Sequence, residues 1–190
     1  MTTTTSLNFE MLRHKWPEVA DLGALAERYV YNDPDTSLVK QRNMIELIVR
    51  WLYREERLPQ GYRPNLFDLI KGDTFTSVIP AAVVEKLDIL RQYGNKAAHG
   101  EKCNSKQSVW LLRECWLISS WLYVRYDNGN QSECGVFQTP PAEAVDTSAD
   151  ALKIKQQELD RALYELKAAE EKQISILREL QFEKREGRRV

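Results

Sequence analysis

The sequence predicts an all-α fold, a helical bundle followed by a coiled-coil helix, on three observations. Apolar residues recur at spacings of three and four over several long stretches. No stretch alternates apolar and polar residues as a half-buried strand would. From about residue 150 the leucines settle into a heptad among Glu, Lys, Gln and Ala. A chain of 190 residues accommodates one cored domain plus an appendage rather than two full domains. The division is therefore a helical bundle over 1–126, a polar linker over 127–149 and a coiled-coil helix over 150–190.

Each element has its own signal. Ser6 is placed to cap a short helix presenting Phe9 and Leu12, and Pro17, tolerated in a first helical turn, opens a helix with Leu22, Leu25, Ala26 and Tyr29 on one side. Asn32-Asp33-Pro34-Asp35 stops it. A long helix follows from about Thr36 to Arg57, carrying Leu38, Ile45, Ile48, Val49 and Leu52. Leu58 to Pro64 reads as a loop, Asn65 as the cap of a short helix Leu66 to Ile70, and Gly72-Asp73 as its end and the start of another turn. A helix from near Pro80 carries Val83, Val84, Leu87, Leu90 and Tyr93. Another from near Ser105 carries Val109, Leu112, Cys115, Trp116, Ser119, Leu122 and Tyr123.

After Tyr126 the composition turns to Asn, Gly, Ser and then Pro, although Cys134 to Phe137 has the character of a short piece that docks. Leu152, Leu159, Leu163, Leu166, Leu177 and Leu180 mark the appended helix. Glu170 and Gln173 make the middle of its seam polar, which weakens a coiled coil while fixing register or partner.

Composition excludes several classes. With 27 Lys and Arg against 28 Asp and Glu the formal net charge is -1, so any nucleic-acid contact must be local. Three cysteines without CxxC spacing, beside only two histidines, argue for reduced thiols and against a zinc site. No metal and no cofactor is expected. There is no phosphate-binding GxxxxGK[ST] loop, no G-x-S-x-G elbow and no HExxH. Neither a signal peptide nor the ~18 apolar residues of a membrane span is present, so the expectation is a soluble cytoplasmic protein without membrane contact.

The most distinctive string is Leu90-Arg91-Gln92-Tyr93-Gly94-Asn95-Lys96-Ala97-Ala98-His99-Gly100. On a helix, Arg91, Asn95 and His99 fall at i, i+4 and i+8 along one face. Gly94 in a helix interior costs up to ~1 kcal/mol relative to Ala, which suggests close approach of another backbone. Two readings stand. Arg91, Asn95, Lys96 and His99 could hold a phosphodiester, Arg steadying the phosphate, His handling the proton of a ribose hydroxyl and Asn orienting it. Alternatively, Asn95 and His99 satisfy buried backbone groups and Arg91 pairs with a carboxylate such as Glu46. Spacing alone favours the second. Arg42 and Glu46, at i and i+4 on an otherwise apolar helix, suggest a buried ion pair. The five tryptophans read as core and interface rather than a base-stacking platform, because no basic residues interleave with them regularly.

The run from Leu7 to Trp16, the string Asp33-Pro34-Asp35-Thr36-Ser37-Leu38-Val39-Lys40-Gln41-Arg42, then Glu46 and the Leu90 to His99 string together resemble the N-terminal domain of type I restriction endonuclease R (HsdR-type) subunits. That domain belongs to the HEPN helical superfamily, so the resemblance, over about residues 6 to 126, implies a HEPN-like helical bundle. In such subunits a nuclease domain and an ATP-driven translocase come next; neither is present in these 190 residues. In the wider superfamily the Arg and His of an R-x(4 to 6)-H motif line a dimer cleft and cleave RNA without metal, roles that would fall here on Arg91 and His99, with Asn95 beside them. Seven residues separate the two here, and Gln92 follows the arginine, so the resemblance implies a binding or assembly role in anti-phage defence. The implied partners are a second copy or another coiled coil, other restriction or defence subunits, and DNA or RNA. The alternative is a metal-independent endoribonuclease acting as a dimer.

The leucine seam generates a direct test. In sedimentation experiments the chain ending at 190 should associate and one ending at 130 should not; equal association states would sink the coiled-coil reading.

Overall fold

The computed structural model describes residues 5–142. Helices α1 (Pro17–Tyr29), α2 (Pro34–Glu55), α3 (Leu66–Lys71), α4 (Asp73–Val78), α5 (Ala81–Ala98) and α6 (Ser105–Tyr126) follow a 3-10 turn at Glu10–Leu12 and precede another at Gln131–Cys134. No strand occurs among the described residues, and the fold is an all-α bundle. None of the described helices is long and apolar enough to cross a membrane. The seam positions Leu152, Leu159, Leu163, Leu166, Leu177 and Leu180 lie outside the described residues.

Helix α2 is the central element, packing against α1, α5, α6 and α3. Its apolar residues explain this: Leu38, Met44, Ile45, Ile48, Val49 and Leu52 are fully buried, and they meet Leu87 and Leu90 of α5 and Leu111, Leu112 and Ile118 of α6 in one core. Each such side chain stabilises the fold by roughly 1.5–3 kcal/mol through removal from water. The helix starts two residues before the expected Thr36, because Pro34 occupies its first turn and the Asp33 carboxylate accepts the Thr36 backbone N–H at 3.2 Å. α3 and α6 open with reciprocal capping boxes, Asn65 with Asp68 and Asn104 with Gln107. In α1 the buried side is Val19, Ala20, Gly23, Ala24, Ala26 and Glu27, while Leu22 and Leu25 are only partly buried. The small residues face inward because the Phe9 ring lies against Gly23, where a Cβ would collide with it.

Glu27 was not legible as a core residue, yet it is only 9% exposed and anchors the N-terminal segment. Its carboxylate accepts the Ser6 hydroxyl at 2.9 Å, the Leu7 N–H at 2.8 Å, the Asn8 N–H at 2.7 Å and the Asn8 amide at 2.9 Å. Charged acceptors with several donors are the strong class of hydrogen bond. Ser6 does not take the cap position expected of it: its hydroxyl accepts the Phe9 N–H at 2.9 Å, but Phe9 itself caps the 3-10 turn that follows, with no side-chain bond to that turn. Asn8 reaches onward, donating to the Gln138 carbonyl at 2.8 Å and accepting the Gln138 N–H at 2.7 Å.

The compact fold therefore continues past Tyr126 into the segment expected as linker. Cys134 is buried and the Phe137 ring lies 6.1 Å from that of Trp116, so this piece docks on α6 as its residues suggested. A boundary that preserves these contacts falls beyond Gln138 rather than at 126 or 130. Four of the five tryptophans fulfil the core reading. Trp16 packs edge-to-face on Trp51 with centroids 5.1 Å apart, Trp51 and Trp121 pack in the same way on Tyr126 at 5.2 and 5.7 Å, and Trp116 is buried.

Glu27→Ala leaves four donors without their acceptor and should lower stability by about 3 kcal/mol, read as a shift of the urea midpoint; an unchanged midpoint would show that the N-terminal segment is not held there.

Candidate functional site

The end of α5 carries Arg91, Asn95, Lys96 and His99, but the structure directs them to different surroundings. An α-helix turns 100° per residue, so each four-residue step slews about 40°, and a stripe from i to i+8 rotates by roughly 80°. Arg91 faces α3. Its Nε donates to Asp88 at 2.9 Å, its second guanidinium nitrogen lies 2.7 Å from the same oxygen, and its plane sits 5.0 Å from the Phe67 ring. Asn95 faces α2, where its carbonyl oxygen accepts the Arg42 Nε–H at 2.7 Å. His99 is the C-cap residue; its backbone N–H bonds the carbonyls of Asn95 and Lys96, and its imidazole is exposed without a hydrogen bond among the described residues.

These placements correct four expectations. The carboxylate of Arg91 is Asp88, one turn back on the same helix, because Glu46 is already shared by Arg42 at 3.4 Å and Arg50 at 2.8 Å. The Arg42–Glu46 pair is not buried: its side chains are 28% and 27% exposed, since α2 turns this edge to solvent beside α5. The neighbour that requires Gly94 is the Arg42 side chain rather than a backbone. A Cβ at Gly94 would lie 3.0 Å from both Cγ and Cδ of Arg42 and closer still to its Cβ. Nor does His99 fill a buried backbone group, because the helix ends into water there.

Asp88 is held by two cations. Burial alone would raise its pKa, but hydrogen bonds from Lys71, 2.7 Å away, and from Arg91 outweigh that and hold the carboxyl below its ordinary range. Arg91 is thereby neutralised locally, while Lys96 and His99 stay exposed one and two turns further on. Lys96 lies 5.7 Å over the Tyr93 ring and 3.8 Å from Glu101, a loose pair.

The Asp33 to Arg42 string proves to be a strip of fastenings. Asp35 accepts the Cys103 N–H at 2.8 Å and pairs with Lys102 at 3.3 Å, tying the α5–α6 loop to α2. Ser37 donates to the Ala26 carbonyl of α1 at 2.7 Å, and the Gln41 amide donates to Ser37 at 3.1 Å and to the Ser108 carbonyl of α6 at 3.2 Å. The i, i+4 spacing of Ser37 and Gln41 was visible, but their partners lie 11 and 67 residues away.

The chain matches no protein-family model, no curated protein and no solved structure. The site therefore rests on its own geometry. Among the described residues no group of three or more His, Cys, Asp or Glu is placed to hold a metal ion. What the arrangement offers is an exposed polar and cationic rim, Lys96, His99 and Lys102, around a helix end rigidified by the Arg42–Asn95 bond.

Gly94→Ala sets two effects against each other. Helix propensity favours Ala by ~1 kcal/mol, but overpacking costs about 1–3 kcal/mol, and the nearest atom, Arg42 Cβ, cannot swing away because it is one bond from the α2 backbone. The variant should melt at lower temperature than the parent chain; a higher melting temperature would show that α2 and α5 do not cross this closely.

Proposed function

We propose that this chain is an accessory and assembly module of a type I restriction-like anti-phage defence system, a HEPN-like bundle that senses nucleic acid and is non-catalytic by itself. It would act in the cytoplasm, as a homodimer or through a coiled-coil or defence-subunit partner. Support comes first from the Asp33 to Arg42 and Leu90 to His99 strings on which the resemblance rests, and from the all-α bundle that carries them.

The observation that carries the reading is the separation of Arg91 from His99. Arg91 is committed to Asp88 and to the Phe67 face, whereas the imidazole of His99 stands in solvent. A phosphodiester-cleaving pair needs its cation and its proton-handling group aimed at one phosphate, and within this protomer they have different targets. Exposed Lys96, His99 and Lys102 are instead suited to phosphate contacts that position a strand without cutting it.

A second reading, the metal-independent endoribonuclease, draws on the same exposure of His99, which leaves the imidazole accessible to a second protomer. Incubation with tRNA and total RNA in EDTA, beside His99→Ala, separates the two. The expected outcome is binding that weakens with salt and no cleavage; His99-dependent cleavage overturns the proposal in favour of the nuclease.

A further inference from the structure

Of the five tryptophans, all within the described residues, Trp110 alone is well exposed, at 42%. It sits on α6 against Tyr93 of α5, ring centroids 6.0 Å apart and planes at 81°. This edge-to-face contact fixes one ring by the other. An indole so held has its orientation set without being covered, which lowers the entropy lost when a flat ligand stacks on it.

The residues around it are cationic. Lys106 and Arg113 lie four residues before and three after Trp110, the spacings that place side chains on one face of a helix. Both are exposed, and neither makes an ion pair among the described residues. The antiparallel register of α5 and α6 is fixed by two cross-helix contacts, Tyr93 with Trp110 and Lys86 with Glu114. Continuing that register toward the α5–α6 loop brings Lys96 level with Lys106. Lys96 itself lies over Tyr93. The sequence showed no regular interleaving of basic residues with tryptophans; the interleaving arises from two helices together.

We propose that Trp110, braced by Tyr93 and flanked by Lys96, Lys106 and Arg113, forms a stacking platform for single-stranded nucleic acid. The inference rests on the nucleic-acid-sensing reading and assigns it a surface. A base stacks on the indole face, sequence-tolerantly because every base has a π face, and the three cations meet the phosphates on either side. A duplex keeps its bases stacked on one another and offers no free face, so single strands are preferred. The face of Trp110 accepts DNA and RNA bases alike, and only contacts to the 2′-hydroxyl would separate them.

Fluorescence anisotropy with short oligo(dT), oligo(U) and a DNA duplex tests this on the full chain at low salt. The expected result is single-strand binding above duplex binding, weakened about tenfold by Trp110→Ala and largely kept in Trp110→Phe. Lys106→Gln with Arg113→Gln should flatten the salt dependence by roughly 0.7 per cation removed. Because both positions are exposed, this double variant retains the fold and serves even if Trp110→Ala disturbs packing on Tyr93, which circular dichroism reveals. Single-strand binding unaffected by Trp110→Ala and by the double variant overturns the platform while leaving nucleic-acid sensing intact. Tighter duplex binding also overturns it. Absence of binding by the wild-type chain to all three probes overturns the platform and the sensing function together. The ratio of oligo(U) to oligo(dT) affinity reports which nucleic acid the platform takes.

Discussion

The bundle depends on how α2 crosses its neighbours, and above all on the missing side chain at Gly94 that lets the Arg42 side chain lie against α5. A helix can bury a continuous apolar face against several partners only if the backbones come close enough for Ile45, Ile48 and Leu52 to reach both sides. Once α2 and α5 are this close, the Arg42 guanidinium is delivered to Asn95 and bonds it at 2.7 Å. Packing and polar fastening then reinforce one another. The same helix ties down α1 through Ser37, α6 through Gln41 and the α5–α6 loop through Asp35.

Buried polar groups such as Ser37, Gln41 and Glu27 are costly unless bonded, and here Ser37 and the Gln41 amide donate to carbonyls of α1 and α6 while the Glu27 carboxylate accepts from the N-terminal segment. Such groups add less to net stability than an apolar core does, but they penalise every arrangement that separates the partners. Glu27 extends this to the chain beyond the helices: through Asn8 it links the segment before α1 to Gln138 after α6. The docked stretch around Cys134 and Phe137 is thereby part of the bundle.

Electrostatically the chain is close to neutral overall, at -1, so the local balance decides what a surface attracts. Around Asp88 charge is cancelled internally by Lys71 and Arg91. Beside the exposed indole of Trp110 the balance is open: Lys106 and Arg113 on α6 make no ion pair among the described residues, and Lys96 of α5 pairs only loosely with Glu101, at 3.8 Å. The two surfaces thus differ in kind: the one at Asp88 is a closed ion-pair cluster, the one beside Trp110 an open rim. An open cationic rim beside an aromatic face is where a flexible anionic chain gains most from both stacking and phosphate contact.

Much of the fold was legible in the sequence because its signals are local. The periodicity of Ile45, Ile48, Val49 and Leu52, the cap Asn65, Pro17 in a first turn, and the docking character of Cys134 to Phe137 each act within a few residues, whereas the Asp33-Pro34 start of α2 read as a stop. The candidate site was legible only as a string. That Arg91, Asn95 and His99 share a helix follows from spacing; that Arg91 turns to Asp88, Asn95 to Arg42 and His99 to water depends on which neighbours flank α5 and on the slew of the stripe around it. Likewise, Trp110 looks like any other tryptophan in the sequence. Its exposure, and the company of Lys96 from another helix, are decided by the α5–α6 register, which is set by contacts between residues distant along the chain.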